Sequence, residues 1–240
     1  MKKTVEGEKV DISTWEDNGY TYGVFKVTVA DITSGKKTAV NTEYHVGLIG
    51  VPDTELNVKQ LSVKVPSDVS VYVTETLKSS LKSTTTATVL GSKAFSGSYL
   101  KTVDLTGVQY IGDSAFSKCA YITEITLPES VLYVGDSAFA NSGLKTLKVD
   151  CEMINIPDNL CSGTKVTKVD FKFPQYIRTV GDAAFKGTPI DQTFFSMWDS
   201  SAESVVVADS AFEGCKNITL LNIPDNVKGL GKSVFKDCTN

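Results

Sequence analysis

Short apolar segments recur along the second half of the chain with one internal spacing. Each has apolar residues at its first, fourth and sixth positions, so the last two lie on the same face of an extended strand. The third and fifth positions then point the opposite way. The pattern predicts one short strand per repeat. The segments are 100–105, 122–127, 144–149, 166–171, 190–195 and 218–223.

A phenylalanine stands five or six residues before most of these segments and marks the period. These anchors lie 21, 23, 46, 27 and 23 residues apart. The interval of 46 residues divides into two ordinary ones if Leu160 is a degenerate anchor. About seven coils from residue 88 onward are therefore predicted, with the anchor rings stacked in a buried column. The anchors are Phe95, Phe116, Phe139, Phe185, Phe212 and Phe235.

The anchors close a recurring motif that reads IGDSAF, VGDSAF, VGDAAF or VADSAF. Gly112 permits a tight bend, and Asp113 is placed to cap a one-turn helix. Ala115 leaves room beside the ring of Phe116. A proline follows four of the apolar segments and marks the end of the strand, because proline lacks an amide hydrogen for the ladder.

No single coil buries its own apolar face, so the coils must stack. The predicted fold is an α/β repeat solenoid, with one short parallel strand and a turn or one-turn helix per coil. The chain stops after Cys238, before the next strand, and we expect an incomplete last coil there.

Residues 1–87 lack this period. Strand-like runs occupy 20–32, 38–51, 56–65 and 69–77, separated by turn signals. They predict a small all-β domain, with an immunoglobulin-like sandwich as one form. An alternative is an irregular cap in which residues 61–69 form a degenerate coil. A Ser/Thr-rich stretch then leads into the first coil.

The repeat unit resembles the BspA-like leucine-rich repeats, which are common in surface proteins of gut and oral bacteria and of trichomonads. The residues that carry the resemblance are ITLPESVLYVGDSAFANSGLKTLKV (125–149) and LNIPDNVKGLGKSVFKDC (221–238). Two units depart from the pattern: 139–160 lacks the glycine motif, and 185–212 is longer and contains FFSMWDSSAES. The resemblance implies a secreted or surface-anchored protein that binds other proteins or surface components and has no catalytic role.

Composition narrows the choice of partner. The net charge is −4, and Arg178 is the only arginine, so capture of nucleic acid is not expected. No apolar run approaches the roughly 18 residues of a membrane helix. The opening residues are not a signal peptide, so we expect either a leader removed before residue 1 or a cytosolic protein. No cofactor or metal motif is present, and the expected location is extracellular or at the cell surface.

Gly-Asp-Ser also occurs in serine hydrolases, but a nucleophile needs a general base. No histidine follows His45, and the motif recurs, which favours a structural corner. We expect His45 to be a surface or satisfied core histidine. An enzyme built around His45 in residues 1–87 is the least favoured hypothesis.

Five cysteines exclude complete pairing within the chain. Cys119, Cys215 and Cys238 each follow an anchor by three residues, which predicts a small buried position. Cys151 and Cys161 lie ten residues apart, and a disulfide between them is an open alternative.

The outward strand positions and the long coil are the candidate binding surface, because solenoids often bind there and because aromatic and arginine side chains anchor interfaces. The expected partner is a protein or glycan on a host or microbial surface. Alternatives are a solvated face that binds nothing, an insertion that packs as a satellite core, and a structural spacer for another domain. The candidate residues are Lys148, Lys168, Asp170, Tyr176, Arg178, Phe194, Met197 and Trp198.

Overall fold

The computed structural model describes residues 2–9, 15–17, 20–33, 36–50, 60–62, 88–198, 204–219 and 222–238. Side chains are described for 21–26 and 44–49 and for the ranges from residue 88 onward. The predicted strand 69–77 lies outside these residues.

Antiparallel strands form the N-terminal part. β3 (Tyr20–Thr33) pairs with β1 (Lys2–Lys9), β2 (Trp15–Asp17) and β4 (Lys36–Gly50). The predicted strands at 20–32 and 38–51 are therefore confirmed as β3 and β4. β4 also pairs in parallel with the first strand of the repeat region, so this sheet continues into the solenoid. The separate domain boundary and the immunoglobulin-like sandwich stay predictions.

β5 (Gln60–Ser62) lies in parallel register with β7 (Thr102–Asp104) of the repeats. This is the position that a strand of a preceding coil would take. The pairing supports the interpretation of 61–69 as a degenerate coil, as far as residue 62.

The first wall of the solenoid contains the predicted strands. β9 (Glu124–Leu127), β11 (Thr146–Val149) and β13 (Lys168–Phe171) pair in parallel and in register. Burial alternates along β9 and β11, with the predicted inward residues in the core. Four of the six predicted strands are therefore confirmed, counting β7.

The other two predicted strands are wrong within the described residues. Residues 192–195 begin a 3-10 helix, Gln192–Trp198, which buries Phe194, Phe195 and Trp198 together. An extended strand would have sent Phe194 and Phe195 to opposite faces. The described residues of 218–223 form no strand, and only an isolated bridge joins Asp191 to Asn217.

A second parallel wall, which the sequence analysis did not predict, lies just before each motif. Its ladder is continuous except between β10 (Tyr133–Val134) and β12 (Asn155–Ile156). At that step Pro157 takes the place of the motif glycine and brings no amide hydrogen. Seven strands enclose about six full turns. They are β6 (Val89–Leu90), β8 (Tyr110–Ile111), β10 (Tyr133–Val134), β12 (Asn155–Ile156), β14 (Thr179–Val180), β15 (Val205–Val207) and β16 (Val227–Leu230).

The third wall consists of turns, which is one of the two predicted forms, and its described residues contain no one-turn α-helix. In the described residues the only helices are 3-10 segments, Pro174–Tyr176 and Gln192–Trp198, so the fold is a β-solenoid with little helix. Regular backbone hydrogen bonds join the turns of neighbouring coils, as from Ser114 N to Asp136 O (2.9 Å) and from Phe116 N to Ala138 O (2.8 Å). Each turn has two left-handed residues, four positions apart. The first has a φ between 51° and 62°, and the series is Lys93, Ser114, Ser137, Asn159, Ala183, Ser210 and Ser233. The second has a φ between 58° and 76°, and the series is Gly97, Lys118, Asn141, Gly163, Gly187, Gly214 and Asp237.

The phenylalanine column is confirmed. Ring centroids lie 5.2 Å apart for Phe95 and Phe116, and 5.5 Å apart for Phe185 and Phe212, with nearly parallel planes. The degenerate anchor, however, is Cys161 rather than Leu160. Asn159 takes the first left-handed position of that coil, as Ser137 does in the preceding one. This places Leu160 at the alanine position and Cys161 at the phenylalanine position. A larger and a smaller residue have exchanged places there, and both are fully buried.

Candidate functional site

The Gly-Asp corner links neighbouring coils. Asp113 Oδ1 accepts a hydrogen bond from the backbone N–H of Asp136 (3.1 Å), and Asp136 Oδ1 accepts one from Asp158 N–H (3.1 Å). The same bond recurs at the next three steps, ending at Lys232 N–H. The predicted helix-capping role is therefore wrong, because the carboxylate bonds to the following coil rather than to its own turn.

The glycine of the motif makes room for this carboxylate. A β-carbon at Gly135 would overlap Asp113 Oδ1, and one at Gly181 would overlap Asp158 Oδ1. At Ala208, which replaces glycine in one coil, the next residue still bonds to the preceding aspartate (2.9 Å). The carboxylates form a column along the solenoid, and burial, followed by the charges of Asp158 and Asp113, raises the pKa of Asp136.

The corner does not provide a hydrolase site. Ser114 is a left-handed turn residue whose backbone bonds to the next coil. His45 is fully buried, with its Nδ1 2.9 Å from Thr88 Oγ1 and its ring edge-on to Tyr110 at 5.0 Å. The prediction of a satisfied core histidine is thus confirmed.

All five cysteines are buried free thiols, so Cys151 and Cys161 are not joined in this structure. The predicted in-phase position is confirmed, and it also has a polar role. The Sγ atoms of Cys119, Cys215 and Cys238 donate to the anchor carbonyl of the preceding coil at 2.9, 3.0 and 2.9 Å. Burial raises the pKa of Cys151 and of Cys215 to about 11, which keeps both thiols protonated at neutral pH and slows their reactions.

The outer face of β9, β11 and β13 is polar and charged. We call this surface the strand face and define it by Glu124, Thr126, Thr146, Lys148, Lys168 and Asp170. Lys148 pairs with Glu124 (2.5 Å), and Lys168 lies 3.5 Å from Asp170. The hydrogen bond to Glu124 raises the pKa of Lys148. About half or more of each of these charged side chains is exposed, so the ion pairs add little stability and stay available to a partner.

Tyr176 and Arg178 lie beside the strand face, where the 3-10 helix Pro174–Tyr176 joins β13 to β14. The Tyr176 side chain is 39% exposed. The Arg178 guanidinium donates to the carbonyls of Gln175 (2.7 Å) and Ile177 (3.0 Å), so part of its hydrogen-bonding capacity fixes the local turn.

The aromatic residues of the long coil are not on the surface. Phe194 packs edge-on against Phe185 (4.9 Å) and Phe212 (5.3 Å), and Trp198 is 1% exposed. Met197 is half-buried and packs against the same core. The prediction of Phe194 and Trp198 as exposed anchors is therefore wrong, and the alternative of an insertion packed onto the solenoid is confirmed. The reason is that helical spacing turns residues 194, 195 and 198 to one side.

A cavity of about 220 Å³, which the sequence pattern did not predict, lies at the gap in the second wall. It lies between β10 and β12, and its lining includes Tyr133, Asp136, Met153 and Asn155. The available signal was Pro157, which stands where the other motifs have glycine or alanine.

Neither a metal site nor a membrane helix emerges from the described ranges. They hold no cluster of three or more histidine, cysteine, aspartate or glutamate side chains placed to bind an ion. Their helices are also too short to cross a bilayer.

Comparison with known proteins identifies the repeat. Residues 88–201 and 195–240 match the sequence profile described as BspA type leucine rich repeat region, in six copies. A search of curated proteins gives no match.

Three crystal structures match this chain, and one of them, with a TM-score of 0.50, is similar in fold. A leucine rich cell surface protein from Faecalibacterium prausnitzii A2-165 has 16% identity and a TM-score of 0.50, over 95% of this chain and 53% of that one. A leucine-rich repeat protein from Bacteroides ovatus ATCC 8483 has 18% identity and a TM-score of 0.32, over 93% and 80%. The pneumococcal vaccine antigen PcpA has 15% identity and a TM-score of 0.37, over 94% and 79%. The chain thus spans about half the length of the Faecalibacterium protein.

Proposed function

Because the chain belongs to the BspA type leucine rich repeat family, we propose that it is a non-enzymatic binding module of a bacterial surface or secreted protein. The strand face contacts the partner, and the proposed location is outside the cell. The fold neighbour from Faecalibacterium prausnitzii is described as a cell surface protein, which supports this location.

The single observation that carries the binding role is the accessibility of the strand face. Its charged side chains stand in register on three consecutive strands, over a backbone fixed by parallel ladders. Because the ladders already fix the backbone, binding has to order only the side chains and costs less conformational entropy than the ordering of a flexible loop. The partner that fits this face is a protein or glycan surface with polar groups that complement alternating positive and negative charge.

Tyr176 and Arg178 extend the strand face at its edge. A half-exposed tyrosine beside a partly engaged arginine is a common composition at the centre of interfaces. Phe194 and Trp198 have no part in the proposed contact, because they lie in the core. The half-buried Met197 borders it at most by its exposed fraction.

Charge reversal on the strand face tests the proposal. The Lys148→Glu/Lys168→Glu variant and the wild type would be immobilised and exposed to a mucosal surface extract. A matched control, Lys228→Glu/Lys232→Glu, makes the same change in net charge at exposed lysines of β16 and of the turn that follows it, away from the strand face. We expect capture of the principal partner to fall about tenfold or more in the first variant only.

The outcome also decides between binding and spacing. Equal capture by the wild type and both variants would contradict the strand face as the contact surface. If neither the wild type nor either variant retained a partner above background, a structural spacer that presents another domain would be favoured.

A further inference from the structure

One buried position recurs in every coil, three residues after the anchor. All seven side chains there are small and able to form hydrogen bonds. They are Ser98, Cys119, Ser142, Thr164, Thr188, Cys215 and Cys238. The series includes the coil anchored by Cys161, which supports that assignment. These residues form a second column beside the phenylalanine rings.

Side chains of this column touch between neighbouring coils. Ser98 Oγ lies 3.4 Å from Cys119 Sγ, and Thr188 Oγ1 lies 3.4 Å from Cys215 Sγ. In each pair the thiol of the later coil reaches back to the earlier one and donates to its anchor carbonyl. The geometry of this step is therefore the same at two places along the solenoid.

At the last described step, both members of the column are cysteines. Cys238 Sγ donates to Phe212 O (2.9 Å), as Cys215 Sγ donates to Phe185 O (3.0 Å), so the step repeats the same geometry. Backbone bonds from Phe212 N to Val234 O (3.0 Å) and from Gly214 N to Lys236 O (2.7 Å) hold the two coils in register. Cys215 and Cys238 occupy equivalent positions of these two coils, which also pair in parallel through β15 and β16. The spacing of about 4.8 Å between residues of adjacent parallel strands lies within the Cα range of disulfides.

We propose that Cys215 and Cys238 are a redox-modifiable pair, in which a small-molecule disulfide oxidant joins the last two described coils by an intramolecular disulfide. Cys238 is the entry point, because its side chain is 9% exposed whereas that of Cys215 is fully buried. The Cys238 thiolate attacks the oxidant, forms a mixed disulfide and releases one small thiol. The Cys215 thiolate then attacks Cys238 Sγ and releases the second small thiol. The two protein thiols give up two protons and two electrons, and the oxidant is reduced to two thiols.

The bond would close a loop across one complete coil. It would stop the final coil from separating from its neighbour, because a cross-link restricts the unfolded chain. The raised pKa of both thiols, caused by burial, makes the reaction slow and dependent on alkaline pH or on transient opening of the last coil.

The test uses the full chain in native buffer at pH 8 with oxidised glutathione. The reaction is quenched by alkylation in denaturant, followed by tryptic mass mapping. We expect a linked peptide pair containing Cys215 and Cys238, with Cys119, Cys151 and Cys161 alkylated. The melting temperature should rise by several degrees after oxidation and stay constant in Cys238→Ser.

A matched variant transfers the geometry to another place. Ser98→Cys puts a thiol beside Cys119 at the equivalent step, and the same oxidant should link residues 98 and 119. Two results would overturn the proposal: five alkylated thiols in the oxidised wild type, or a mixture of pairings like that of the denatured chain.

Discussion

The coil that follows Phe139 and the long coil that ends at Phe212 share the same turn wall but differ in how the first wall is built. In both, the turn wall keeps its backbone bonds, as from Ser137 N to Asp158 O and from Ala183 N to Asp209 O. Both also keep the aspartate bond to the following coil. The first wall, by contrast, is a strand in one coil and a 3-10 helix in the other.

This difference shows which parts of the repeat fix the register and which parts accept insertions. The corner and turn wall hold consecutive coils at one spacing. The first wall fills the space that remains, either with a strand or with an aromatic cluster. Residues Gln192–Trp198 of the long coil therefore enlarge the core through Phe194, Phe195 and Trp198.

The largest expected loss of stability comes from removing one buried ring, either from the stacked column or from the long coil. Phe116→Ala removes one member of the stacked column, and Phe194→Ala removes the centre of the long-coil cluster. Both should lower the free energy of unfolding by about 3–5 kcal/mol, because each leaves a buried cavity. Urea denaturation followed by circular dichroism measures both. A change below about 0.5 kcal/mol for Phe194→Ala would mean that the long-coil cluster is not part of the core.

The next effect compares two versions of the corner. Gly135→Ala introduces a β-carbon against Asp113 Oδ1 and should cost about 1–3 kcal/mol, since the backbone must shift. Ala208→Gly, at the matching position of the long coil, relieves no overlap, because Asp209 N–H already bonds to Asp182 Oδ1 there (2.9 Å). It should change stability by less than about 1 kcal/mol. Equal effects in thermal denaturation would contradict the space-making role of the glycine.

Removing one carboxylate tests the bond between coils directly. Asp136→Ala should cost about 1–2 kcal/mol, because Asp158 N–H loses its acceptor. Asp136→Asn keeps an oxygen there and removes the charge. Since the pKa of Asp136 is raised in the fold, the folded state binds its proton more readily than the unfolded state does. The penalty of ionisation therefore appears as pH rises above about 4.

The pH profile separates these two contributions. Asp136→Asn should be at least as stable as the wild type at pH 7 and should lack part of the fall in stability that the wild type shows as pH rises above about 4. Urea titrations across that range would contradict the account if Asp136→Asn were as unstable as Asp136→Ala.

The smallest expected effect is a gain. Ala183 has a φ of 51°, a left-handed conformation that costs an alanine about 1 kcal/mol and a glycine almost nothing. Ala183→Gly should therefore raise the free energy of unfolding by a fraction of a kcal/mol, since glycine also gains entropy in the unfolded chain. Differential scanning calorimetry measures it, and a clear loss of stability would contradict the turn geometry.

The sequence alone predicted the solenoid because its core repeats in phase. The anchor rings, the strands of the first wall and the buried cysteine position all follow from one spacing. The second wall was missed because its strands are two to four residues long and most of them have only two. Two residues are too few to show an alternating pattern. The role of Asp113 was misread because a contact across 23 residues leaves the same local signature as a helix cap.

The candidate site was predicted in part. Lys148, Lys168 and Asp170 are exposed as expected, because strand alternation fixes the direction of their side chains. Phe194 and Trp198 were misplaced because the strand spacing of regular coils was extended to an insertion that has helical spacing. The identity of the Cys161 anchor was hidden by an exchange of large and small residues between neighbouring positions.

The central claim is that the long coil packs its aromatic residues inward and leaves the charged strand face as the contact surface. Acrylamide quenching of Trp198 fluorescence in a Trp15→Phe background tests it most directly. The account predicts strong protection of the indole in native buffer, lost only on unfolding in urea, because Trp198 is 1% exposed. Quenching in native buffer as efficient as that of the unfolded chain would contradict it.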